Sequence, residues 1–168
     1  MISIDELSDP GIDALTDESG QRSLACGNVV VFYSPADPSR RYLQRCVAAL
    51  TRLATRHPAG LGMMVMVPEL APPPREDTRE ALQESYRSLA RMLLGTVLVF
   101  EGSGFVASVK RSAATLLSMR LAVPVKVAAD AQEGAGKLIK LLGPALDPRV
   151  SAQRLVDTAG FTRKTRPS

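Results

Sequence analysis

Ser23 to Ser34 reads SLACGNVVVFYS, and this stretch decides the fold. Gly27-Asn28 is a dipeptide that accepts the positive φ angles of a two-residue hairpin turn. It stands between a weaker apolar segment, Ser23–Cys26, and a strongly β-forming one, Val29–Tyr33. An antiparallel hairpin is therefore expected here. After the hairpin the apolar residues take up helical spacing, and that change of period points to an α/β chain.

Working outward, the first helix is predicted from Asp37. Asp37 serves as its cap, and Pro38 sits in the first turn, where a missing N–H is harmless. Leu43, Cys46, Val47, Leu50 and Leu53 recur on one face, and His57-Pro58 with Gly60 ends the helix. The stretch from Gly60, GLGMMVMVP, is apolar without alternation, as expected of a strand covered on both faces. Three prolines in ELAPPPRED make the next segment a loop. A second helix is predicted over residues 75–95, with Leu82, Tyr86, Leu89 and Leu93 at helical spacing. Then come a strand, Thr96–Phe100, and a third helix from Gly104 with Val106, Val109, Ala113 and Leu116/Leu117 inward. A last strand, VPVKVA, precedes a helix capped by Asp130, with Ala131, Ala135, Leu138 and Leu142 along one side. Gly134 and Gly136 are each expected to weaken that helix by roughly 1 kcal/mol relative to Ala. DPRVSAQRLVDTAGF, from Asp147, reads as one more short helix ended by Gly160.

The order β-β-α-β-α-β-α-β-α predicts an α/β fold with a mixed, mostly parallel sheet of about five strands. The crossovers are right-handed, and the first hairpin strand forms an antiparallel edge. The chain divides into three regions: an acidic flexible arm over 1–21, the α/β domain over 22–142, and a basic C-terminal extension over 143–168. The chain of 168 residues suits one domain, and its 45% apolar content is enough for a core. With no Trp, three Tyr and four Phe, that core must be filled by Leu, Val, Ala and Met.

Charge is unevenly placed along the chain, whose net charge is +4. Six acids and one Arg fall in residues 1–27, whereas 15 bases and nine acids fall in residues 28–142. The two cysteines, Cys26 and Cys46, have no metal-like spacing and are expected to be reduced and buried. The start, MISIDELSDPGID, has neither the basic nor the apolar region of a signal peptide. No apolar run approaches the roughly 20 residues a membrane helix needs. A cytoplasmic protein is expected.

The hairpin SLACGNVVVFYS, the helix from Asp37, the strand GLGMMVMV and the ending VPVKVAADAQEGAGKLIKLL together resemble the STAS fold. That is the fold of anti-sigma factor antagonists and of the related SpoIIAA-like (STAS/SEC14-type) proteins. The resemblance covers about residues 22–142 and lies in topology. It implies a non-enzymatic regulatory or adaptor domain that acts by binding a protein. It does not carry over the family's switch, a Ser or Thr phosphorylated in the loop after the strand that comes next to the first long helix. The corresponding loop, VPELAPPPRED (Val67 to Asp77), has no Ser, and its first Thr is Thr78, already in the helix. EGSG (Glu101–Gly104) has the look of that loop but comes one helix–strand unit later.

Two stretches are candidate sites. Gly102, Ser103 and Gly104 sit where a helix is expected to begin, and a helix N-terminus with glycines can admit an anion, nucleotide or lipid headgroup. The plainer reading makes Ser103 a cap and the glycines a turn. Catalysis at Ser103 lacks a base, because the single His57 lies on another segment. The second candidate is Arg41, Arg45, Arg52 and Arg56, which fall within about 60° of one helix face at about 100° per residue. No acid lies between residues 38 and 68 to neutralise them. Such a row suits an acidic protein partner or the acidic arm. Nucleic acid is a weaker fit, because no stacking aromatic is interleaved with the arginines. Met63, Met64 and Met66 read as core filling, and Glu69 and Glu101 stand at strand ends without a partner for acid–base chemistry. No metal and no cofactor is predicted.

Overall fold

The computed structural model describes residues 12–18, 20–104, 110 and 123–163. They form an α/β fold. Its strands are β1 (Ile12–Glu18), β2 (Gln21–Cys26), β3 (Val29–Tyr33), β4 (Leu61–Val67), β5 (Leu93–Phe100) and β6 (Val125–Ala128). Its helices are α1 (Arg40–Arg56), α2 (Glu76–Leu89), α3 (Ala131–Leu142) and α4 (Ala152–Arg163), with a 3-10 turn at Gly143–Ala145. The helix expected between β5 and β6 lies outside the described residues, Lys110 excepted.

Strand order in the sheet follows chain order, β1 to β6. The first two pairings are antiparallel, and β3, β4, β5 and β6 pair in parallel. The β3–β4 and β4–β5 steps move the same way across the sheet, so right-handed crossovers leave α1 and α2 on one face. There, Leu50 and Leu53 of α1 and Leu89 of α2 pack on Ala25, Val30, Leu61, Met63 and Leu93. The other face is covered by the two C-terminal helices. Ala135, Leu138, Leu142, Leu155 and Ala159 pack there on Val29, Val31, Met64, Met66, Val97 and Val99. Successive side chains of β4 thus enter two different apolar layers, which explains its unbroken apolar run.

Several expectations need correction. The sheet has six strands, because Ile12–Glu18, expected in the acidic arm, pairs with β2 and becomes the edge among the described residues. Thr16 Oγ1 lies 2.5 Å from Ser23 Oγ and 3.1 Å from Tyr42 Oη, joining β1, β2 and α1 through buried hydroxyls. Residues 143–163 are not an extension: Val150, Leu155 and Ala159 belong to the core, and Gly160 lies inside α4. The cap of α1 is Ser39, whose hydroxyl accepts from the Tyr42 N–H at 3.0 Å, while Asp37 is drawn away to Arg75. Helix α2 stops at Leu89, and Leu93 opens β5.

Other expectations hold. Gly27, at φ 55°, makes the hairpin turn. Asp130 caps α3, its Oδ1 accepting from the Glu133 N–H at 2.8 Å, and Glu133 reaches back to the Ala129 N–H at 2.7 Å. Gly134 has a packing reason to be there: a Cβ at this position would lie 2.6 Å from Val99 Cγ2. Its absence lets α3 sit close on the sheet. Cys26 and Cys46 are both buried. Among the described residues, no helix is long and apolar enough to cross a membrane.

Candidate functional site

Helix α1 buries Tyr42, Leu43, Cys46, Ala49, Leu50 and Leu53. That inward face sends Arg41, Arg45, Arg52 and Arg56 outward, and all four are exposed. Helix α1 is fixed on both sides, by Tyr42 to Thr16 of β1 and by an Arg40–Glu84 ion pair of 2.5 Å to α2. Between α1 and the edge strand β1 lies an open depression of about 340 Å³ lined by Leu15, Ala49, Arg52, Leu53 and Arg56. Its lining combines three apolar side chains with two guanidinium groups. In chemical type this lining matches an apolar side chain flanked by carboxylates, since the guanidinium fork fits a carboxylate bidentately. Leu15 is the member that local sequence reading missed. It comes from β1, 34 positions before Ala49, and carries no sequence mark of its role.

The turn at the end of β5 has a different character. Gly102 has a φ of 105°, and a Cβ there would lie 2.5 Å from Glu69 Cδ. The glycine therefore meets two needs, a left-handed backbone and close passage of the Glu69 side chain. Glu101 pairs with Arg163 of α4, and burial raises its pKa against the opposing pull of that arginine. Lys110 is engaged with the loop after β4, donating to the carbonyls of Glu69 at 2.6 Å and Ala71 at 2.8 Å. Ser103 is exposed, and the helix it was expected to cap lies outside the described residues. The carboxylates of Glu69 and Glu101 flank the turn, Glu101 paired with Arg163, and the nearby Lys110 is committed to carbonyls.

The remaining chemistry-bearing side chains are tied into the scaffold. Asp37 Oδ2 accepts from Arg75 Nε at 2.7 Å. Burial works to raise its pKa, but the hydrogen bonds from Arg75 prevail and it lies below the ordinary carboxylate value. His57 Nδ1 stands 3.9 Å from Asp147 Oδ2, and burial lowers its pKa. Met64 and Met66 are fully buried and Met63 nearly so, as core-filling residues. Among the described residues, no group of three or more His, Cys, Asp or Glu is placed to hold a metal ion.

No protein-family model, curated protein or solved structure matches the chain. The functional reading therefore stands on its own residues.

Proposed function

We propose that this chain is a non-enzymatic, STAS-like regulatory or adaptor domain that acts by binding an acidic protein partner on α1. The single observation that carries this is the exposed row Arg41, Arg45, Arg52 and Arg56, of which Arg52 and Arg56 line the depression with Leu15, Ala49 and Leu53. An apolar anchor there is surrounded by cations that select for acidic neighbours, the arrangement that gives protein interfaces both affinity and steering. The STAS-like part of the reading is supported by the hairpin followed by helix–strand units and by the Asp130-capped last helix of the sheet layer.

The test is comparative capture. The wild-type chain and an Arg41→Glu/Arg52→Glu variant are used as baits in extracts of the native cell, and bound proteins are quantified by mass spectrometry. The reading expects a specific acidic partner that drops at least tenfold with the variant while the melting midpoint is kept. Equal capture by both baits contradicts it.

A further inference from the structure

The loop between β4 and α2 presents apolar side chains to solvent in an ordered form. Leu70 is 94% exposed, and Pro72, Pro73 and Pro74 are exposed beside it. We propose that Leu70–Arg75 is a docking motif of the polyproline II type, read by a partner protein through a groove of aromatic side chains with a carboxylate beside it.

Covalent geometry dictates the conformation. Each proline ring fixes φ near −65°. A residue that precedes proline is held extended, and Ala71, Pro72 and Pro73 all precede one. Consecutive residues under both restraints form a left-handed polyproline II turn of three residues, with about 3.1 Å rise per residue. Arg75 continues it, at φ −66° and ψ 168°.

Both ends of the segment are fastened. At the near end Ala71 is buried, its N–H donates to the Pro68 carbonyl at 3.1 Å, and Lys110 bonds the Glu69 and Ala71 carbonyls. At the far end Arg75 donates through Nε to Asp37 at 2.7 Å, yet its side chain stays 73% exposed. The rings are thus held outward on a preset backbone, which lowers the ordering cost of binding. Proline rings dock between aromatic side chains in grooves built for this helix. Arg75, paired with Asp37 and 3.8 Å from Asp77 yet mostly exposed, adds a guanidinium at one end whose outer N–H groups a carboxylate of the partner can share. None of this depends on the role proposed for α1.

Purified SH3, WW and EVH1 domains serve as aromatic-groove probes, titrated against the full chain by fluorescence anisotropy. Saturable binding by at least one probe is expected. Binding should weaken at least tenfold in Pro72→Ala/Pro73→Ala and in Leu70→Glu, and stay unchanged in Gly136→Ala. These exposed substitutions are expected to leave the melting transition in place, which circular dichroism verifies. Binding by none of the three probes overturns the proposal, as does undiminished binding by the folded double variant. Either failure leaves the α1 reading intact, because that reading is tested with different residues and a different ligand.

Discussion

The backbone N–H of Asp147 donates to Asn28 Oδ1 at 2.9 Å, joining the hairpin turn to a segment 119 residues away. The amide of Asn28 also donates to the carbonyls of Gly60 at 3.0 Å and Ala145 at 2.8 Å. One buried side chain therefore ties the hairpin, the entry to β4 and the approach to α4. Asn28→Ala leaves these groups unpaired and is expected to destabilise by about 2–4 kcal/mol, as losing buried partners does. Urea unfolding checks this; a loss under about 0.5 kcal/mol would contradict the tie.

Asp147 should make stability depend on acid. Its carboxyl is held down to about 2, first by the side-chain hydrogen bonds from Arg149 and then by that residue's backbone N–H, against the opposing effect of burial. A folded pKa below the ordinary 3.8 means stability that is fully present above that value and lost as pH falls towards about 2. The midpoint gap between wild type and Asp147→Asn is expected to be largest near neutral pH and to close through that acid range. His57, with a pKa lowered mainly by burial from 6.5, adds an earlier decline as pH falls through that value. Melting curves of both Asp147→Asn and His57→Gln across pH separate the two contributions.

Two glycines of α3 should respond in opposite ways. Gly136 has no heavy atom within 4 Å of an added Cβ, so Gly136→Ala is expected to stabilise by roughly 1 kcal/mol through helix propensity. A Cβ added at Gly134 would lie 2.6 Å from Val99 Cγ2 and 3.2 Å from Met64 Sδ. Gly134→Ala is expected to destabilise by about 1–3 kcal/mol as overpacking outweighs propensity. Equal shifts of one sign in thermal melts would mean that α3 does not sit this close to the sheet.

Removal of residues 152–168 tests the second helical layer. Leu155 and Ala159 are fully buried against β3 and its neighbours. Burying a leucine side chain alone is worth about 1.5–3 kcal/mol, and the deletion also bares the valines and methionines beneath it. The truncated chain is expected to lose its cooperative melt. A midpoint within a few degrees of wild type would place α4 outside the core.

The parts of the fold that were legible in the sequence are those written locally. The Gly27-Asn28 turn, the apolar runs of β4 and β5 and the Asp130 cap each depend on adjacent residues. Strand β1 was not legible, because IDALTDE carries three acids and its register shifts between Ala14 and Thr16, which breaks the alternation. Leu93 falls four residues after Leu89, so helical spacing ran on past the end of α2. Ser39 and Asp37 flank Pro38 and are equally good caps by type. The choice between them came from Arg75, distant in sequence. The arginine row was legible because a helix repeats locally, whereas the apolar lining beside it was not, since Leu15 reaches it only through the β1 pairing.

The most direct measurement of the central claim is hydrogen–deuterium exchange of the chain with and without its captured acidic partner. Added protection is expected over residues 12–18 and 40–56, where β1 and α1 frame the depression, and it should fade as salt screens the arginines. Protection centred instead on residues 101–104, with residues 40–56 unchanged, would contradict a binding face on α1.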